Sequence, residues 1–94
     1  MITHSEISEA VAKIVSIYPI KWVAYFGSYA DGRATDASDL DLLIEFHNPA
    51  VSLFTLSAVK IDLEDQLKIP VDVIHGPLPK DSLIEPKKVV QVYG

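Results

Sequence analysis

The chain has no cysteine, so disulfides, thiol nucleophiles and thiolate zinc sites are all excluded. Positive charge is sparse as well. Eight Lys and Arg against thirteen Asp and Glu leave a net charge of −5, and the eight are scattered rather than clustered. Binding driven by counterion release from a polyanion is therefore disfavoured, and a nucleic-acid partner with it. No apolar run approaches the roughly 18 residues of a membrane span, so no membrane partner is expected. The opening "MITHSEISEA" is polar and acidic, unlike a signal peptide, and the expectation is a cytoplasmic protein. His4, His47 and His75 lie too far apart to match a metal-ligand spacing and are expected at the surface or in turns.

The hydrophobic content, 49% of 94 residues, is ample for one core, and the size leaves room for a single domain over residues 1–94. A chain this short buries only about 60–65% of its unfolded surface. An enzyme of this size is expected to borrow part of its site from a partner.

Ile7, Val11, Ile14, Val15 and Tyr18 fall on one helical stripe, preceded by a capping-box pattern, "THSE", from Thr3 to Glu6 and followed by Pro19. "KWVAYFG", Lys21 to Gly27, reads as a buried strand. Ser28 to Ser38 is a short polar connection, a turn or a short helix. From Asp39 to His47 the pattern alternates: Leu40, Leu42, Ile44 and Phe46 share one face, and Asp39, Asp41, Leu43, Glu45 and His47 share the other, mostly polar one. Leu53, Leu56, Val59, Leu63 and Leu67 recur at helical spacing. Pro70 opens a third strand, "PVDVIHG", and the tail "DSLIEPKKVVQVYG" has room for one helical turn and a last strand from about Lys88 to Tyr93. The order predicts an α/β (α+β) fold with one mixed β-sheet, since the first connection is too short for a full parallel crossover.

Asp39 and Asp41 need an explanation, because Asp is disfavoured in strands and alternate residues point the same way. At about 7 Å and an effective dielectric near 20, their charges repel by about 2.4 kcal/mol. Solvent, protonation or a cation must offset that. Gly27-Ser28, at the end of the preceding strand, offers backbone N–H groups and a hydroxyl where phosphate oxygens are held and glycine permits close approach. Mg²⁺ is commonly shared between one or two carboxylates and a substrate's phosphates. Asp72 stands in an otherwise apolar strand with no packing reason to be there. Three carboxylates flanking two metal ions would serve an in-line transfer at phosphorus.

"GSYADGRATDASDLDLLIEF" resembles the G-S-x(n)-S-D-x-D signature of the DNA polymerase beta-like nucleotidyltransferases, and the small size resembles their minimal nucleotidyltransferase (MNT) branch. The resemblance runs from Val23 to Ile74, and more loosely over the closing "VVQVYG". It implies a mixed sheet with helices mainly on one face, and transfer of a nucleoside monophosphate from an NTP to a hydroxyl with release of pyrophosphate. By position, Gly27 and Ser28 would bind the triphosphate, Asp39 and Asp41 would ligate Mg²⁺, and Asp72 would complete a site for two ions and help deprotonate the acceptor. The chain departs from the G-S-x-A-R-G-E form of many minimal members, with Asp31 in place of the basic residue and Arg33 in place of the acid; Arg33 would then reach the phosphates, and Ser38 would support the aspartate loop or the nucleotide. Minimal members are similar to antitoxins of HEPN ribonuclease toxins, some of which add AMP from ATP to a toxin tyrosine. A HEPN-type partner and AMPylation are the expectations, with an antitoxin that works by contact alone as the alternative. Exposed edge strands also allow a homo- or hetero-oligomer.

Overall fold

In the computed structural model, which describes residues 2–48, 50–76 and 89–94, the first helix begins where the sequence pattern places it. Thr3 Oγ1 accepts from the Glu6 amide and the Glu6 carboxylate accepts from the Thr3 amide, so the capping box closes in both directions. This helix, α1 (His4–Val15), ends a turn before Pro19, because the Ile17 and Tyr18 amides both fold back onto the Ile14 carbonyl. Tyr18 lies past the helix, and its hydroxyl donates to Asp62 at 2.7 Å.

The remaining elements are β1 (Ile20–Phe26), α2 (Ser28–Asp31), β2 (Leu40–Phe46), α3 (Leu53–Leu67), β3 (Val71–His75) and β4 (Val90–Tyr93). They form one sheet in the order β3-β2-β1-β4. β1 runs antiparallel to both β2 and β4, whereas β2 and β3 are parallel. A parallel pair needs a long crossover, and α3 supplies it. The sheet is therefore mixed, as the short first connection requires. The helical turn expected in the tail falls outside the described residues.

Leu40, Leu42, Ile44 and Phe46 point into one core with Ile7, Val11 and Ile14 of α1 and Val59, Leu63 and Leu67 of α3. Both long helices thus cover the same sheet face. The opposite face carries Asp41 and Glu45, but it is not uniformly wet. Leu43 is only 2% exposed there, with Gly76 packed against its methyl group. His75 also departs from the surface-or-turn expectation: it is a β3 residue, half-buried, with its ring edge-on to Phe46 at 5.5 Å between centroids.

Leu53 is a second departure. It is 79% exposed, because each step of three residues falls about 60° short of a full turn, so a run at spacing three rotates off the stripe that Val59, Leu63 and Leu67 define. α3 closes at Lys68, a non-glycine residue at φ 60°, where a side chain carries a steric cost of about 1–2 kcal/mol. Lys68→Gly is expected to stabilise the fold by about 0.5–1 kcal/mol, the relief at the helix end less the entropy of glycine. Thermal unfolding of the two proteins measures it.

Candidate active site

The polar connection after β1 is built around two glycines. Gly27 sits at φ 73°, ψ −146°, a conformation essentially restricted to glycine. Its carbonyl accepts from the amides of Ala30 and Asp31, which starts the four-residue helix α2. Gly32 ends α2 in the left-handed region at φ 74°. The first amides of such a turn, Ser28 and Tyr29, have no partner within it. The glycine at position 27 has a further reason: a Cβ there would collide with the Asp41 carboxylate, meeting Cγ at 3.4 Å and Oδ2 closer still. The glycine-serine turn and the aspartate strand are thus in direct contact.

Asp41 is the second residue of β2. It pairs with Phe26, the last residue of β1, on one side and with Asp72, the second residue of β3, on the other. The site therefore lies at the sheet edge where β1 ends and β2 and β3 begin. Neighbouring strands are about 4.8 Å apart, so Asp72 faces Asp41 across one ladder spacing, and Asp39 stands just before the strand on the same side. Asp39 and Asp72 are more open to solvent, and Asp41 is half-buried. Burial first, then the charge of Asp72, then that of Asp39, pushes the Asp41 carboxyl above its ordinary range. Among the described residues no basic side chain pairs with any of the three. Nor, among those residues, are three acidic or imidazole side chains gathered tightly enough to form a ready metal cage. The acids face one another but are not drawn into a closed ligand set.

The other expected residues have partners of their own. The Arg33 guanidinium donates to Asp31 at 2.8 Å, so the exchanged charges of the loop neutralise each other across the end of α2. Ser38 turns its hydroxyl to the Thr35 amide, 2.9 Å away, and its own amide donates to the Thr35 carbonyl at 3.0 Å. It orders the loop that delivers Asp39. A feature that sequence patterns do not reveal lies beside Asp72: a groove of about 290 Å³ lined by Leu53, Leu56, Ser57, Lys60, Asp72 and Val73.

The site thus sets carboxylates facing one another across a mixed sheet, beside a glycine-serine turn. The particular family follows from sequence: the chain belongs to the nucleotidyltransferase domain family, which it matches over residues 4–93. It is 39% identical to the candidate protein adenylyltransferase MJ0126 of Methanocaldococcus jannaschii over 94 residues, covering 90% of this chain and 95% of that one. Among solved structures it superposes on a candidate minimal nucleotidyltransferase with a TM-score of 0.69 at 30% identity, covering 88% of this chain and 86% of the other. It shares its fold with a complex of a tri-AMPylated Shewanella oneidensis HEPN toxin and an MNT antitoxin, at a TM-score of 0.70 and 17% identity over 98% of this chain and 73% of that one.

Proposed function

We propose that the protein is a minimal nucleotidyltransferase that moves AMP from ATP to a hydroxyl of a partner protein, a tyrosine of a HEPN-type toxin, and thereby acts as an antitoxin. The observation that carries this reading is Gly27 lying against the carboxylate of Asp41, with Asp39 and Asp72 acting on that same carboxylate. The name of the Methanocaldococcus relative supports the adenylyl group, and the Shewanella complex supports the partner class.

The donor set fits Mg²⁺: hard oxygen ligands, uncompensated by any basic side chain among the described residues, beside a turn that only glycine lets approach. Asp39, Asp41 and Asp72 would hold it, and when bound it would neutralise phosphate charge and polarise the phosphoryl group. The chain's own residues do the rest. Ser28 and the first amides of α2 hold phosphate oxygens, and Arg33, kept at the end of α2 by Asp31, supplies a cation to the outer phosphates. Asp72 takes the proton of the acceptor hydroxyl as its oxygen bonds to the α-phosphorus; the bond from that phosphorus to the α,β-bridging oxygen breaks, and pyrophosphate leaves.

Label transfer from ATP carrying a labelled α-phosphate, with the partner toxin as acceptor, tests this. Wild type is expected to label the toxin, and Asp39→Asn to lower the rate on the order of 10²-fold or more while leaving the fold intact. Unlabelled toxin that the wild type and the variant neutralise equally well would replace the enzyme with an antitoxin acting by contact.

A further inference from the structure

We infer that the groove between α3 and the β3 edge is the acceptor-docking surface, and that it takes a polypeptide segment with apolar side chains and an acidic one beside the modified hydroxyl. The inference rests on the transfer reaction proposed above. In an in-line displacement the entering oxygen and the leaving pyrophosphate lie on opposite sides of the phosphorus. The sheet order sets those sides here. The glycine-serine turn follows β1, Asp41 stands on β2, and Asp72 stands on β3, so the turn and Asp72 flank Asp41 from opposite directions. With phosphates at the turn, the hydroxyl enters from β3. Among the described residues β3 is an edge strand that pairs with β2 alone, and the groove of about 290 Å³ opens there with Asp72 in its wall.

The lining identifies the occupant. Leu53, Leu56 and Val73 offer apolar contact, and Leu53 in the lining and its chain neighbour Phe54 are 79% and 89% exposed, large apolar side chains open to a partner. Lys60 is the cation of the groove and makes no ion pair among the described residues. The acid one turn further along α3, Glu64, is turned away to the Val71 amide at 3.0 Å, which leaves Lys60 free for a partner carboxylate. Among the described residues, an apolar lining with one cation, Lys60, beside Asp72, in a chain of net charge −5, suits a peptide rather than a nucleic acid.

Nuclear magnetic resonance on the ¹⁵N-labelled full chain, with Mg²⁺ and a non-hydrolysable ATP analogue, decides between this and its alternatives. The probes are two blocked tetrapeptides, Glu-Leu-Tyr-Leu and Lys-Ser-Tyr-Ser. The first is expected to shift the amides of Leu53, Ser57, Lys60 and Val73 and to bind about tenfold more tightly than the second, a difference of about 1.4 kcal/mol. Lys60→Glu, at an exposed position that leaves the fold intact, is expected to weaken the first peptide about fivefold and to strengthen its Glu-to-Lys counterpart. Equal binding of both peptides, no response to Lys60→Glu, or shifts centred elsewhere would overturn the assignment. Concentration-dependent shifts at Leu53 and Phe54 without peptide would overturn it in favour of a second copy of the chain. The nucleotide reading is scored separately in the same spectra, by whether the analogue shifts Gly27 and Ser28.

Discussion

Asp41→Asn is expected to raise the melting temperature of the metal-free protein at pH 7 and to lower nucleotide transfer by at least about 10³-fold. The two effects share one cause. Asp41 is a half-buried carboxylate facing Asp72 across a ladder rung, with Asp39 behind it and no basic partner among the described residues. Without a cation its charge is a cost to folding; in the working site the same charge is the ligand. The asparagine keeps the shape and removes both. Adding Mg²⁺ and ATP should therefore reverse the order, because a ligand that binds only the folded state stabilises it and the variant lacks the group that binds. A variant that melts lower than wild type without metal would show that the Asp41 charge is compensated.

The pH dependence has a definite sign. Burial and the charges of Asp72 and Asp39 raise the folded carboxyl of Asp41 above its unfolded value of about 3.9. Between the two values the folded state binds more protons than the unfolded one, so this group lowers stability as pH rises. Its cost is absent below about pH 4 and complete above the folded pKa. The stability gained by Asp41→Asn is thus largest at neutral pH and vanishes on acidification.

Features set by neighbours in the chain are legible in the sequence itself. The capping box at Thr3 and Glu6 involves residues three apart, and the alternation from Leu40 to Phe46 follows from the two-residue period of a strand. The glycine at position 27 reads as a close approach, but nothing nearby in sequence says what approaches it. The facing of Asp41 and Asp72 is hidden for the same reason: it depends on β2 and β3 pairing in parallel across the whole of α3, and no local pattern encodes that register. Leu43 falls on the polar face by alternation, yet it is buried; its neighbours there, Ala24, Ile74 and Gly76, come from strands that its local sequence does not announce. Leu53 looks like a core residue because a spacing of three is helical step by step, but its two steps of three from Val59 turn it about 120° off the stripe. The pairing of Arg33 with Asp31, by contrast, is local, set by opposite charges two residues apart in a tight loop.

Gly27→Ala is expected to cost both stability and activity, through two separable terms. The first is backbone: φ 73° with ψ −146° is closed to residues with a Cβ, at about 1–3 kcal/mol. The second is contact. The new methyl would drive into Oδ2 of Asp41 and lie 3.4 Å from its Cγ, so either the turn or the carboxylate must move. Displacing a reacting group by about 1 Å costs on the order of 10²-fold in rate, and that is the expected fall in transfer. Gly32→Ala is the control, since Gly32 is also at positive φ but a Cβ added there would have nothing within 4 Å; it should lose about 1 kcal/mol and keep its activity. The two terms at Gly27 come apart in an Asp41→Ala background. Truncating Asp41 removes the atoms that the methyl would strike, so the stability cost of Gly27→Ala should shrink to its backbone part. An unchanged cost in that background would mean that the turn does not rest on Asp41, and the contact on which the proposed site is built would be lost with it.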